Sequence, residues 1–552
     1  MTQFTHRLII CLLATALSGC MLTLPAPAPS SAATQITTTP LADSACSGAF
    51  VTHELDHVTT TSSAVIGLYE SNGAGVAIND LDNDGDLDIV LANLHDPNTI
   101  LWNEGGLSFR TQRLAHGESR AVAIVDVDGD GWLDIVFTRL FAKPTLWRNT
   151  GADGDARFVE EALPDVNNPF YTMDWADLDK DGDLDLAIAS YDTELRKHEG
   201  PIFDYQGGGV GVFVYARTDQ GYVAERLSDE ADALALALVD LNADAALDIL
   251  VGNDFIRPDY AWLHTTDGWR AADLFGAMTE NTMSFDVGDV DNNGSQEIFA
   301  TDMKPYAQDA QTEAAWMPLM EMMSHPASSD DPQHTDNVLQ VLGADGRYQN
   351  EGLARQVDAT GWSWSSRFGD LDNDGFLDIY VVNGMIADGL LAHLPNDELV
   401  EENRALRNDG HGDFTLADAW GLGSTASGRG MSMADLDSDG DLDIVVNNLR
   451  SPAQLFENQL CGGAGLAIDL RWPASPNPFA IGAQLTLHTS MGAQSRTIRA
   501  ASGYLSGNAT RVHFGAPADA TLEKMEIRWP DGAISTVDAP ELHTLIQIER
   551  TN

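Results

Sequence analysis

Residues 80–88 read DLDNDGDLD, and six further nine-residue stretches repeat the phrase: DVDGDGWLD from Asp126, DLDKDGDLD from Asp177, DLNADAALD from Asp240, DVDNNGSQE from Asp289, DLDNDGFLD from Asp370 and DLDSDGDLD from Asp435. Oxygen-bearing side chains at positions 1, 3, 5 and 9 of such a loop converge on one hard cation. The backbone carbonyl of position 7 adds another oxygen, and glycine at position 6 permits the sharp turn. The reading therefore predicts seven calcium loops. The first three would use Asp80, Asp82, Asp84, Asp86 and Asp88; Asp126, Asp128, Asp130, Trp132 and Asp134; and Asp177, Asp179, Asp181, Asp183 and Asp185. The fourth and fifth would use Asp240, Asn242, Asp244 and Asp248; and Asp289, Asp291, Asn293, Ser295 and Glu297. The last two would use Asp370, Asp372, Asp374, Phe376 and Asp378; and Asp435, Asp437, Asp439, Asp441 and Asp443.

The flanks exclude an EF-hand. That loop needs a bidentate Glu at position 12 and helices on both sides. Position 12 here is Leu91, Phe137 or Ile188, inside β-branched apolar runs such as LDIVLAN and LDIVFTR. Runs before the loops, such as AVAIVD, have the same character, so each unit reads strand, loop, strand. The loops begin 46, 51, 63, 49, 81 and 65 residues apart. That period, with third strands such as TILWN and fourth strands starting at Phe109, Phe158, Tyr222, Trp269 and Phe414, predicts four-stranded propeller blades.

The seventh unit stops after LFENQL, while FVTHEL at Phe50 matches the missing fourth strand, so the N-terminal strand is expected to close the ring. The chain has four cysteines. Cys11 falls in the leader and Cys20 has a separate role. Cys46 and Cys461 flank the point where the other blades have a turn, and a disulfide between them would replace it. The expected fold class is all-β: a seven-bladed propeller over residues 46–461, then a small β-rich domain over 462–552.

Residues 1–19 read as a signal peptide, with Arg7 before the short apolar run LIICLLATAL. LSGC, ending at Cys20, resembles the bacterial lipobox. The resemblance implies lipidation of Cys20 and, with Met21 following, an outer-membrane or surface location. Residues 20–45 are rich in Pro, Ala, Thr and Ser and read as a flexible tether. The formal net charge of −54 argues against nucleic acid or an anionic membrane surface as a partner. Membrane contact would be through the lipid at Cys20 only.

NPFAIGAQLTL, TIRAASGYLSGNATRVHFG and MEIRWPDG resemble the ASPIC/UnbV domain, and the stretch WSWSSRFGDLDNDGFLDIYVVNG (362–384) resembles FG-GAP, or VCBS, repeats of the group that includes cartilage acidic protein. The resemblance implies a calcium-bearing propeller and no particular chemistry. GxSxG, phosphate-binding glycine loops and CxxC pairs are absent from the sequence, and HELDH at 53–57 spells HExxH within the FVTHEL strand rather than on the helix that motif needs. The expected role is a calcium-stabilised, non-catalytic recognition or scaffold protein with a protein or glycan partner. The alternative is a lyase or hydrolase on an acidic polysaccharide, which would require basic side chains beside a carboxylate in one concave site. Trp362 and Trp364 read as blade packing or as sugar-stacking rings. Two insertions are expected to be helical. EAAWMPLMEMMSH, within residues 303–336, reads as a helical cap or, through Met317, Met320, Met323 and His325, a soft-metal site. PNDELVEENRALRN begins at Pro395.

Overall fold

The computed structural model describes residues 30–151, 156–199, 209–218, 220–255, 257–323 and 332–552. The leader and Cys20 lie outside these residues.

A strand such as AVAIV or ALALALV is apolar on both faces, so it is stable only with a layer against each. The structure meets this demand with a ring. Among the described residues, seven sheets form around the loops, each built on four antiparallel blade strands, with an inner strand, the loop, and three strands running outward; Met303–Lys304 adds to the sixth sheet and Ala501–Ser502 with Ser506–Gly507 to the first. The first contains Val76–Asn79, Asp88–Leu91, Thr99–Asn103 and Phe109–Arg113. Inner strands touch in a closed cycle: Val76–Asn79, Ser119–Val125, Thr172–Ala176, Ala233–Val239, Ser284–Gly288, Gly361–Gly369, Gly428–Ala434 and back to the first. Inner strands are fully buried, whereas outer ones such as Phe158–Ala162 show an exposed face. This is the propeller expected from the repeat.

Blade seven closes as the sequence implies. Val51–Val58 pairs antiparallel with Pro452–Glu457, Val51 opposite Glu457. Cys46 and Cys461 form a disulfide across this split hairpin, with Cα atoms 5.1 Å apart.

The tether reading fails for Thr34–Pro40. This segment is an edge strand paired with Thr544–Arg550, Thr34 opposite Arg550. Its threonines suit an exposed edge strand, and composition carries no sign of a partner at the far end of the sequence. The C-terminal domain thus has two four-stranded sheets. One contains Thr34–Pro40, Thr544–Arg550, Ala464–Arg471 and Val512–Ala516; the other contains Gly492–Thr497, Gln484–Thr489, Leu522–Arg528 and Ile534–Asp538.

This domain inserts a hairpin, Ala501–Gly507, into the axis of the ring. The Ala501 N–H donates to Asp174, that of Gly503 to the Phe285 carbonyl and that of Tyr504 to the Ser365 hydroxyl. Leu505 accepts from Val122, and Ser506 accepts from Val76 and Met431. The hairpin therefore bonds to inner strands of six blades. Gly507 lies against Ala77, and a Cβ there would sit 2.8 Å from the Ala77 methyl, so the close approach requires glycine.

The first insertion contains a helix, Ala310–Met323, that lays Trp316 and Leu319 against the ring. Trp316 packs 5.8 Å from Trp362 and donates to Glu401. Met317 and Met320 face solvent; the Met323 side chain and His325 lie outside the described residues. The second insertion is not helical. It forms a 3-10 turn at Pro395–Asp397, then Arg404–Asn408 becomes the third strand of blade six, where pairing with Asp378–Asn383 overrides local helix propensity.

Candidate metal centres

Each loop is held by its own carboxylates before any ion is considered. The position 1 carboxylate accepts the position 6 N–H: Asp80 from Gly85 at 3.1 Å, Asp177 from Gly182 at 3.1 Å, Asp370 from Gly375 at 2.9 Å. The position 9 carboxylate is almost fully buried and receives two amides. Asp88 accepts Leu81 N–H within the loop at 3.1 Å and Asn103 N–H from the third strand at 2.9 Å. Asp134, Asp185, Asp248, Asp378 and Asp443 repeat the pattern. Glu297 receives the loop amide of Val290. Position 9 therefore fixes the loop to its blade, a structural role beyond the ligand role read from the sequence.

The turn needs two left-handed residues, not the one foreseen. Position 6 has φ between +65° and +102° throughout, and position 4 is also positive: Asn83, Gly129, Lys180, Ala243, Asn292, Asn373 and Ser438. The two successive bends aim the acids inward. Carboxylate oxygens of Asp80, Asp82 and Asp88 lie within 4.8 Å of one another; so do those of Asp126, Asp128 and Asp134; of Asp177, Asp179 and Asp185; of Asp289, Asp291 and Glu297; and of Asp370, Asp372 and Asp374.

Such crowding is unfavourable without a counter-charge. Buried oxygens of Asp80, Asp82, Asp177, Asp183, Asp372, Asp437 and Asp441 have no hydrogen-bond partner. Burial, reinforced by neighbouring acids, pushes the carboxyls of Asp88 and Asp134 up to about 8, Asp185 to about 7, Asp248 to about 6 and Asp441 to about 11. An all-oxygen donor set with orphaned buried carboxylates suits a hard divalent cation. The position 7 residues Trp132, Ser295 and Phe376 take part in the turn through their backbones, their N–H groups donating to position 5 at 2.9, 2.7 and 3.0 Å.

A further set of residues recurs with the repeat and joins the blades. Asn103, Asn149, Asn408 and Asn458 each donate to the position 8 carbonyl of their own loop and to the position 2 carbonyl of the preceding blade: Leu436, Leu81, Val290 and Leu371, at 2.7 to 2.9 Å. The recurring WNEG, RNTG, RNDG and ENQ carry the signal. In blades three and four the corresponding residues are Arg217 and His264.

Trp362 and Trp364 are buried, which removes them as sugar-stacking platforms. The Trp364 indole donates to the Gly384 carbonyl, and Arg429 stacks 4.3 Å from its ring.

Among the described residues no helix is long and apolar enough to cross a membrane, and the disulfide suits an oxidising, extracytoplasmic setting.

Comparison with known proteins agrees with the two-part architecture. The FG-GAP-like repeat matches residues 80–137, 126–188 and 390–446, and the ASPIC and UnbV domain matches 473–552. Cartilage acidic protein 1 of Xenopus tropicalis is 34% identical over 129 residues, 22% of this chain and 19% of the relative. The Homo sapiens protein of the same name is 29% identical over 189 residues, 32% of this chain and 27% of the relative. The matches thus span less than a third of those relatives. Among solved structures, BBS1N in complex with ARL6DN has a TM-score of 0.41 at 9% identity, covering 74% of this chain and 97% of that one. The extracellular domain of the putative hybrid two component system BT3049 from B. thetaiotaomicron also scores 0.41 at 9% identity, covering 92% and 58%. These scores add nothing to the architecture read from strand pairing. The chain carries FG-GAP-like repeats in its ring and an ASPIC and UnbV domain upon it, and it is similar, distantly and in part, to cartilage acidic protein 1.

Proposed function

We propose that this chain is an exported, calcium-stabilised, non-catalytic recognition or scaffold protein of the cell envelope, lipid-anchored through Cys20, with a protein or glycan partner. The observation that carries the reading is the plug. Ala501–Gly507 occupies the axis of the ring and bonds to the inner strands, so the axis offers no open channel for a substrate. Calcium fits these loops because it accepts six to eight oxygens in flexible geometry, and acids with carbonyls are what each loop offers.

The partner would meet the opposite face, where the second strands end. There Leu68, Tyr69, Leu94, His95, Phe141 and Lys197 line a cavity of about 690 Å³. Its mixture of aromatic, aliphatic and charged groups suits a glycan or a peptide. The deciding experiment is a binding screen against glycans and envelope proteins, with calcium and with chelator, for wild type and Tyr69→Ala. Saturable binding lost in the variant supports the reading; a partner bound equally well by both would place the site elsewhere.

One observation favours the enzymatic alternative. Arg120 and Glu194 form a buried pair at 2.6 Å on the wall of this cavity, with Lys197 nearby. Basic groups beside a carboxylate are what cleavage of an acidic polysaccharide would use. Release of unsaturated uronate products, abolished in Glu194→Gln, would establish that activity and overturn the binding role.

A further inference from the structure

Between the loop face of the ring and the C-terminal domain lies a second cavity of about 150 Å³, and its wall is rich in arginine. Arg367 comes from the inner strand of blade six; Arg496, Arg499 and Arg511 come from the C-terminal domain. A buried guanidinium is normally matched by carboxylates, because a desolvated charge left alone is costly. Arg511 obeys this rule, donating to Asp469 at 3.0 and 3.2 Å. The other three are less closely matched. The nearest approach of Arg367 to a carboxylate is 3.4 Å, to Asp286, and its Nε and Nη1 make no hydrogen bond although the residue is 8% exposed.

Among the described residues, Arg496 and Arg499 have no carboxylate within 4.0 Å. Arg499 donates only to the Val287 carbonyl and the Gln296 amide oxygen, and Arg496 only to the Ser495 carbonyl, leaving a buried Nη2 unpaired. Burial lowers the proton affinity of both guanidiniums, and the more distant carboxylates of Asp370 and Asp289 for Arg496, and of Asp286 and Asp174 for Arg499, offset it only in part. Asp370 and Asp435 also reach the cavity, yet each already accepts two loop amides at 2.9 to 3.0 Å.

We infer that this cavity is a binding site for one small inorganic oxyanion of the sulfate or phosphate type, held by Arg367, Arg496 and Arg499 between the ring and the C-terminal domain. A tetrahedral oxyanion presents acceptors in several directions, which matches guanidinium groups arriving from both domains. The volume has room for such an ion with part of its hydration. The anion would bridge the domains electrostatically.

The test uses the full chain with sulfate as probe, added against chloride at constant ionic strength. Calorimetry is expected to show one saturable sulfate per chain, and thermal unfolding a rise in Tm that chloride does not reproduce. Arg496→Gln removes one charge-assisted partner and should weaken sulfate binding about tenfold or more. In sulfate-free buffer it should be no less stable than wild type, because it deletes an unpaired buried charge. Should Arg496→Gln fold poorly, Asp286→Asn decides: losing the competing carboxylate should tighten binding. Wild-type heats that do not saturate, a Tm that follows ionic strength alone, or unchanged affinity in these variants would overturn the inference.

Discussion

In the seventh loop Asp435, Asp439, Asp441 and Asp443 are buried, and the loop is roofed by both ends of the chain. Ala42 donates to the Ser438 carbonyl, Ser44 to that of Asp439, and the His513 ring lies 3.2 Å from the Gly440 carbonyl. In the fourth loop Asn242, Ala243, Asp244 and Ala245 are exposed, and the Asn242 amide donates to Asp244 at 3.0 Å, satisfying an oxygen that would otherwise face an ion. The frames nonetheless coincide. Asp435 and Asp240 accept from positions 5 and 6 at 2.8 to 3.1 Å, and Asp443 and Asp248 each anchor two amides. Loop shape is thus a property of backbone hydrogen bonds, whereas demand for a cation is set by acid count and burial. Repeats of one motif can share a fold and differ in the charge a bound ion would have to balance.

Metal removal should produce the largest effect, and its pH dependence follows from the raised carboxyls. A carboxyl whose folded pKa exceeds its unfolded value contributes stability below about pH 4, and that stability is lost as pH rises through the folded value. With Asp88 and Asp134 near 8 and Asp185 near 7, the Tm of chelated protein should fall steadily as pH rises from 5 to above 8. Calcium should raise Tm little at pH 5 and strongly at pH 8. A calcium increment that stays constant across this range would show that the loops do not exchange protons for the ion.

The position 9 acids separate frame from ion. Asp443→Ala and Asp248→Ala each orphan two buried amides, so in chelator both should cost about 2–5 kcal/mol. In millimolar calcium the seventh-loop variant should lose more, since of the two loops only the seventh has a dense buried acid cluster for the ion to neutralise. Urea unfolding of both variants in both conditions forms the cycle. An equal difference between the variants with and without calcium would remove the contrast.

Much of this was legible in the sequence because it repeats. The loops, the strands beside them, the ring closure at Phe50 and the Cys46–Cys461 bond follow from periodicity and from what one unit lacks. What escaped were features that depend on contacts between distant segments. Thr34–Pro40 reads as a tether because its partner strand lies at the opposite end of the chain. The plug at Ala501–Gly507 has no periodicity, and its fit depends on the inner strands of six blades. The interblade asparagines were visible as a recurring letter, but their acceptors belong to the neighbouring blade.

Those asparagines extend the comparison from loops to blades. Asn458 joins blade seven to blade six through the Leu371 carbonyl at 2.8 Å, while His264 in blade four instead stacks on Trp269 of its own blade at 4.4 Å. Asn458→Ala should cost about 2 kcal/mol by leaving buried carbonyls unpaired. His264→Asn should give no more than about 1 kcal/mol of stabilisation. Hydrogen exchange should then show blades three and four opening before blade seven in wild type, and the order narrowing in Asn458→Ala. Uniform protection around the ring would mean that the staples do not set local stability.

The smallest expected effect isolates the backbone. Ala245 stands at position 6 with φ of +65°, where the other six loops have glycine at +89° to +102°. A Cβ in the left-handed region costs about 1–2 kcal/mol. Glycine returns part of that through its larger unfolded-state entropy, about 0.5–1 kcal/mol. Ala245→Gly should therefore stabilise the protein by about 0.5–1 kcal/mol. The gain should appear in chelator as well as in calcium, because it comes from the turn and not from the ion. The relaxed turn should also tighten calcium at the fourth loop, read as a shift of the weakest phase in a calcium titration. If the gain appears only in calcium, the strain lies in the ligand geometry rather than in φ. If stability falls, the fourth loop has already adapted to alanine by settling at its lower angle, and the contrast between loops four and seven rests on acid count and burial alone.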